Sequence, residues 1–149
     1  MLERKFYSEL NAKKILKIHP RITEKLKKYS GDASLRILKH AWENADVFDI
    51  GVLKLESGSE AMHREILMYA HNTPCWYART IIPKTSYLQQ NTLFDKLNTT
   101  PLGELIYNNP NVTREIKSFK VLPGMLEFNY LENALANKTP KQTLVARRS

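Results

Sequence analysis

Two alternating runs either side of a turn signal constrain the fold more than any other feature of the chain. Residues 62–70, MHREILMYA, put Arg64, Ile66, Met68 and Ala70 on one side and Glu65, Leu67 and Tyr69 on the other. That period of two belongs to a strand. His71-Asn72-Thr73-Pro74 follows, built from turn formers. Residues 75–82, CWYARTII, are rich in β-formers and close on Pro83. Two strands joined this tightly pair antiparallel.

Shorter elements surround the hairpin. Residues 1–20 read as a basic, half-ordered lead-in through Leu16 and Ile18 to His19-Pro20. Ile22, Leu26 and Tyr29 stand at helical spacing. After Ser30-Gly31-Asp32 the spacing of Leu35, Leu38 and Trp42 predicts a second helix capped by Asp32. Val47, Ile50, Val52, Leu53 and Leu55 predict a strand with Gly51 inside it. Leu93, Phe94 and Leu97 make one short helix, and Thr100-Pro101 opens another through Leu102, Leu105 and Ile106. Residues 111–122 predict a strand, Leu126 to Leu135 a short helix, and 142–146 the start of another strand. There is no repeat and no linker. The class is α+β: one domain over residues 1–149, an antiparallel sheet with short helices covering its face.

Composition narrows the function. Lys and Arg total 23 against 15 Asp and Glu, a formal net charge of +8. An excess of this kind serves a solvated surface or an anionic partner. Lysines crowd the first 28 residues, yet no zinc-finger spacing or Gly-rich RNA motif accompanies them. The expected partner is therefore a small anion and not nucleic acid. One cysteine, Cys75, excludes an internal disulfide and a multi-Cys metal site. No apolar run approaches the roughly 20 residues of a membrane span. The N-terminus has no apolar signal core, so the expected location is cytoplasmic.

GxGxxG, GxxxxGK[ST] and HExxH are all absent from the sequence. His19, His40, His63 and His71 lack ligand spacing and read as surface or core residues. Cys75 reads as a buried, inert thiol. Arg64 is different, because it sits on an otherwise apolar strand face where an unpaired charge is costly. It is either ion-paired, with Glu60 or Asp49, or a planar clamp for a ligand carboxylate. Arg79 in the next strand is a second candidate. The helix start at Thr100-Pro101-Leu102-Gly103 offers backbone N–H groups to an anion, though most helix starts bind only water.

Taken in order, five motifs resemble the chorismate lyase family: Arg64-Glu65-Ile66-Leu67, Pro74-Cys75-Trp76, Ala78 to Pro83, Thr100 to Gly103, and Thr113-Arg114. The match runs over about residues 62–117, with fainter echoes at 30–36 and Arg147-Arg148-Ser149. The resemblance implies a sheet of about six antiparallel strands with an internal ligand site under helical flaps. It implies a lyase that converts chorismate to 4-hydroxybenzoate and pyruvate on the way to ubiquinone, as a monomer without metal or redox cofactor. Arg64 would grip the ring carboxylate as the catalytic residue. The N–H of Leu102 would add a donor, Leu35 would belong to a lid, and Arg79 would face the enolpyruvyl carboxylate or brace Arg64. The family also carries a Glu on a strand after the Arg-Arg-Ser run. No residue up to Ser149 matches it, and the favoured expectation is a polypeptide that continues.

The alternative is a non-catalytic binder of small aromatic carboxylic acids, similar to the UTRA-type effector domains of transcription regulators. Residues 1–45 show no helix-turn-helix of the kind such regulators carry. A nucleic-acid module is the third reading. It predicts steep salt dependence and equal importance of Lys27 and Arg64, whereas the first two readings rank Arg64 far above Lys27.

Overall fold

The computed structural model describes residues 2–8, 22–98, 100–107, 109–113, 115, 117–135 and 144–148. The lead-in around Leu16 and Ile18, Arg114 of the fifth motif, Lys138, Lys141 and Ser149 lie outside them. An antiparallel meander forms the centre: β2 (Ser34–Asn44), β3 (Glu60–Ala70) and β4 (Thr73–Pro83). β1 (Leu2–Ser8) pairs with β4, and β6 (Leu144–Arg148) pairs with β1 and with β5 (Lys117–Val121). The strand order is β2-β3-β4-β1-β6-β5. The helices are short: α1 (Ile22–Ser30), α2 (Val47–Leu53), α3 (Lys84–Gln89), α4 (Asn91–Phe94), α5 (Leu102–Tyr107) and α6 (Leu126–Ala134). A 3-10 turn, Asp95–Asn98, follows α4 directly. The α+β class with an antiparallel sheet is thus what the chain adopts.

The hairpin forms as its residues dictate. His71 and Asn72 both take positive φ, 47° and 64°. That is the backbone of a two-residue type I′ turn, whose twist matches the flanking strands. Both residue types are enriched in the left-handed region. Its tip is also tied to the segment before β2. The His71 N–H donates to Asp32 Oδ2 at 3.3 Å, and His71 Nε2 bonds to the Ser30 carbonyl.

Three local expectations were overturned. Residues 2–8, expected to belong to a half-ordered lead-in, form strand β1 between β4 and β6. Residues 34–44 form strand β2, not a second helix, and Asp32 caps nothing. The cause is a bulge. The register with β3 slips between Ile37 and Lys39, so Leu38 is the extra residue. Leu35 and Ile37 before the bulge, and His40 and Trp42 after it, all pair with one face of β3. A parity change in mid-strand brings period two close to the spacing of a helix. Residues 47–53 form helix α2, not a strand. Asp46 caps it, its Oδ1 accepting the N–H of Asp49 at 2.8 Å. Lys54, with φ 54°, ends it. The β-branched Val47, Ile50 and Val52 favour a strand locally, but the cap and burial of Phe48, Val52 and Leu53 against Ala61 and Ile81 outweigh that preference.

The sheet has two covered faces. On the front, Ile66, Met68, Trp76 and Ala78 pack beneath Leu26 of α1, together with Ala33 and Leu35. Further along the same face, Met62 and Ile82 pack beneath Phe94, Leu97, Leu102 and Ile106 from the α4–α5 region. On the back, α2 covers Ala61 and Ile81, and α6 brings Leu131 onto Leu67 and Tyr77. Among the described residues no helix is long and apolar enough to cross a membrane.

Candidate functional site

Strand parity sorts the polar residues between the faces. Arg64 lies on the front, opposite His40 of β2 and Thr80 of β4 in the register. Arg79 lies one residue from Thr80 and therefore on the back, opposite Glu65. The two arginines suggested by the sequence are separated by the sheet itself.

Arg64 is 1% exposed. Its Nε donates to the Leu97 carbonyl at 3.1 Å and its Nη2 to the Thr100 carbonyl at 3.3 Å. Both acceptors belong to the turn and loop that lead into α5. The guanidinium is thereby fixed to the segment whose next ordered step is Leu102, itself 2% exposed. The carboxylates weighed as ion-pair partners are engaged elsewhere: Asp49 with Arg79, and Glu60 with Lys84. Leu35 stands on the same front face, half-buried in the cluster of Ile66 and Met68. It is a strand residue of β2 and not part of a helix pair, which corrects its expected setting.

His40 was read from the sequence as a surface or core residue. It stands directly across from Arg64, and burial, followed by the Arg64 charge, holds its imidazole below the ordinary value. Its Nδ1 is buried with no hydrogen-bond partner among the described residues. Thr80, 1% exposed, completes the row. The signal for both was cross-strand register, which one sequence does not display.

Arg79 is corrected as a ligand-binding candidate. Its Nη1 and Nη2 donate to Asp49 Oδ1 and Oδ2 at 2.8 and 2.6 Å, and Nη2 also reaches Asp46 Oδ2 at 3.2 Å. Its guanidinium lies 4.4 Å from the Tyr130 ring centroid. Burial opposes the charge, and the bond with Asp49 more than reverses that, so the guanidinium stays firmly protonated. Arg79 neither faces Arg64 nor braces it. The signal available was Asp46-x-x-Asp49, a cap and a partner one helical turn apart.

His63 sits beside this network, buried, with its Nδ1 3.9 Å from Glu43 Oε2. Burial, and then the Arg79 charge, push it down, against smaller opposing effects of Asp49 and Glu43. A histidine lowered in the folded state is protonated more readily in the unfolded chain. Stability therefore falls as pH drops below about 6.5. The slope is at most about 1.4 kcal/mol per pH unit for one group. Urea midpoints compared at pH 7.5 and 5.5 should show a smaller acid-side loss in His63→Leu than in the wild type; an equal loss would refute the assignment.

Cys75 is half-buried, and burial raises its thiol pKa. Its Sγ donates to the Thr73 carbonyl at 3.4 Å, an unreactive setting. Among the described residues no group of three or more His, Cys, Asp and Glu is placed to hold a metal ion.

Comparison with known proteins supplies the family. A model of the family described as chorismate lyase matches residues 6–149. A probable chorismate pyruvate-lyase of Pseudoalteromonas translucida is 32% identical over 93 residues, covering 60% of this chain and 48% of that protein. One from Ralstonia nicotianae is 30% identical over 100 residues, 65% of this chain and 51% of that protein. One from Bartonella quintana is 33% identical over 52 residues, 35% and 30% of the two chains. The matched segments thus span about half or less of these relatives. With the model match covering nearly the whole sequence, the chain belongs to the chorismate lyase family.

Proposed function

We propose that the front face binds an aromatic carboxylate and that the protein is a lyase releasing pyruvate from chorismate to leave 4-hydroxybenzoate. One observation carries this reading: the buried Arg64 guanidinium is anchored to the Leu97 and Thr100 carbonyls, beside the start of α5. The names of the relatives agree with it.

The reaction asks the protein chiefly for position. The ether C–O bond breaks, a ring proton is lost, and the enol leaves as pyruvate while the ring becomes aromatic. Arg64 holds the ring carboxylate through planar, paired donation. The Leu102 N–H adds a donor to the same group. Helix α1, over the strand residue Leu35, serves as one cover and the α4–α5 segment as the other, excluding water from the dianion. Release of product from beneath two covers is then slow, a frequent limit on turnover. This front-face arrangement acts without Arg79, whose guanidinium is held by Asp49.

The direct test mixes the purified chain with chorismate and identifies products by chromatography. Formation of 4-hydroxybenzoate and pyruvate, lost in Arg64→Ala, is the expected result. A folded protein that binds 4-hydroxybenzoate without turnover would favour the non-catalytic binder instead. A folded protein that binds neither compound would overturn both.

A further inference from the structure

We infer that His40 is a second side chain for the acid's carboxylate, donating from Nδ1 to an oxygen of the group that Arg64 holds. This inference rests on the aromatic-acid reading of the front face. Three observations meet at one position. His40 and Arg64 are directly paired across β2 and β3. Side chains so paired lie on one face, with Cβ atoms about 4.5–5.5 Å apart. The His40 Nδ1 is a buried polar atom with no hydrogen-bond partner among the described residues, whereas buried polar atoms are normally satisfied.

The site explains the orphan. A ring nitrogen buried beside a guanidinium has no reason to stay unmatched in a finished core, because leaving it so is costly. A carboxylate seated on Arg64 has four lone-pair positions, of which a planar guanidinium uses two. A neutral imidazole presents one N–H and suits a remaining position. It adds selectivity for an acid over an amide without a second full charge. The bulge at Leu38 is what makes this possible, since it returns His40 to the front face after Leu35 and Ile37. Without the extra residue, position 40 would fall on the back.

The experiment measures the affinity of the full chain for 4-hydroxybenzoate by titration calorimetry in the wild type, His40→Asn and His40→Leu. Asparagine keeps an N–H donor close to the Nδ1 position, while leucine fills similar space with none. The expected result is a loss of about tenfold in His40→Leu, the scale of one hydrogen bond to a charged group, with His40→Asn within about threefold of wild type. Equal loss in the two variants would mean His40 only packs, and no loss in either would mean it takes no part; each overturns the inference. A wild type that does not bind 4-hydroxybenzoate would overturn the aromatic-acid reading itself. Thermal melting of each variant identifies a folding failure, and His40→Phe then replaces His40→Leu as the donor-free partner.

Discussion

Arg64→Ala weakens binding of 4-hydroxybenzoate by about 100-fold or more, the largest effect expected of any single change on the front face. Each hydrogen bond from a charged donor is worth roughly 1.5–3 kcal/mol. Two of them lost at the low end remove about 3 kcal/mol, and each 1.4 kcal/mol is a factor of ten. Arg64→Lys recovers only part, because an ammonium is a point charge and cannot present the planar pair of donors. Lys27→Ala, on an exposed position of α1, is the control and leaves affinity unchanged. Equal losses from Arg64→Ala and Lys27→Ala would sink the carboxylate clamp and return the basic surface to consideration as the binding determinant. Calorimetry at two salt concentrations adds a second check, since a buried contact is screened far less than a surface one.

The second large effect is on stability. Arg79→Ala leaves Asp49 buried at 0% exposure without its bidentate partner. Breaking one side of a buried pair costs about 3–5 kcal/mol. That is a large share of the roughly 5–15 kcal/mol that holds a domain of this kind together. The double change Arg79→Leu with Asp49→Leu should recover most of the loss, because replacing both charges by apolar groups of similar size is often near neutral. Urea unfolding of the wild type, the single and the double variant decides this. If the double variant were no more stable than Arg79→Ala, the cost would lie in packing and not in the stranded carboxylate. The folded fraction of Arg79→Ala should keep its affinity for 4-hydroxybenzoate, as the sheet separates Arg79 from the front face.

These two arginines also measure what the sequence discloses. Arg64 was conspicuous because charge interrupts an apolar face, and β3 and β4 were legible because alternation and turn chemistry agree. Arg79 looked like a companion because it occupies a similar run. Which carboxylate answers which arginine depends on strand parity and on α2, and α2 was concealed by its β-branched residues. The Asp46-x-x-Asp49 cap was the readable clue. β2 was concealed by a bulge that shifts parity inside one strand, a local event with no fixed residue signature. β1 was missed because LERKFYS carries too much charge for a clear apolar alternation. His40 and Thr80 acquire their meaning only from cross-strand register.

The meander has a consequence for how the molecule comes into being. β2, β3, β4 and the helices through α5 occupy one uninterrupted stretch, residues 34–107. The row His40, Arg64, Thr80 and its cover are therefore built almost wholly from neighbours along the chain. Contacts of short sequence separation close early, with hairpins forming in about 1–10 μs. Pairing of β1 with β6 joins segments about 140 residues apart in the sequence, Arg4 with Arg148 among them, and must wait for both. A ribosome would release the whole front face before it released β6. The face proposed to meet the ligand is then the part with the least entropic delay in assembly, and the distant strands complete the sheet around a centre already in place.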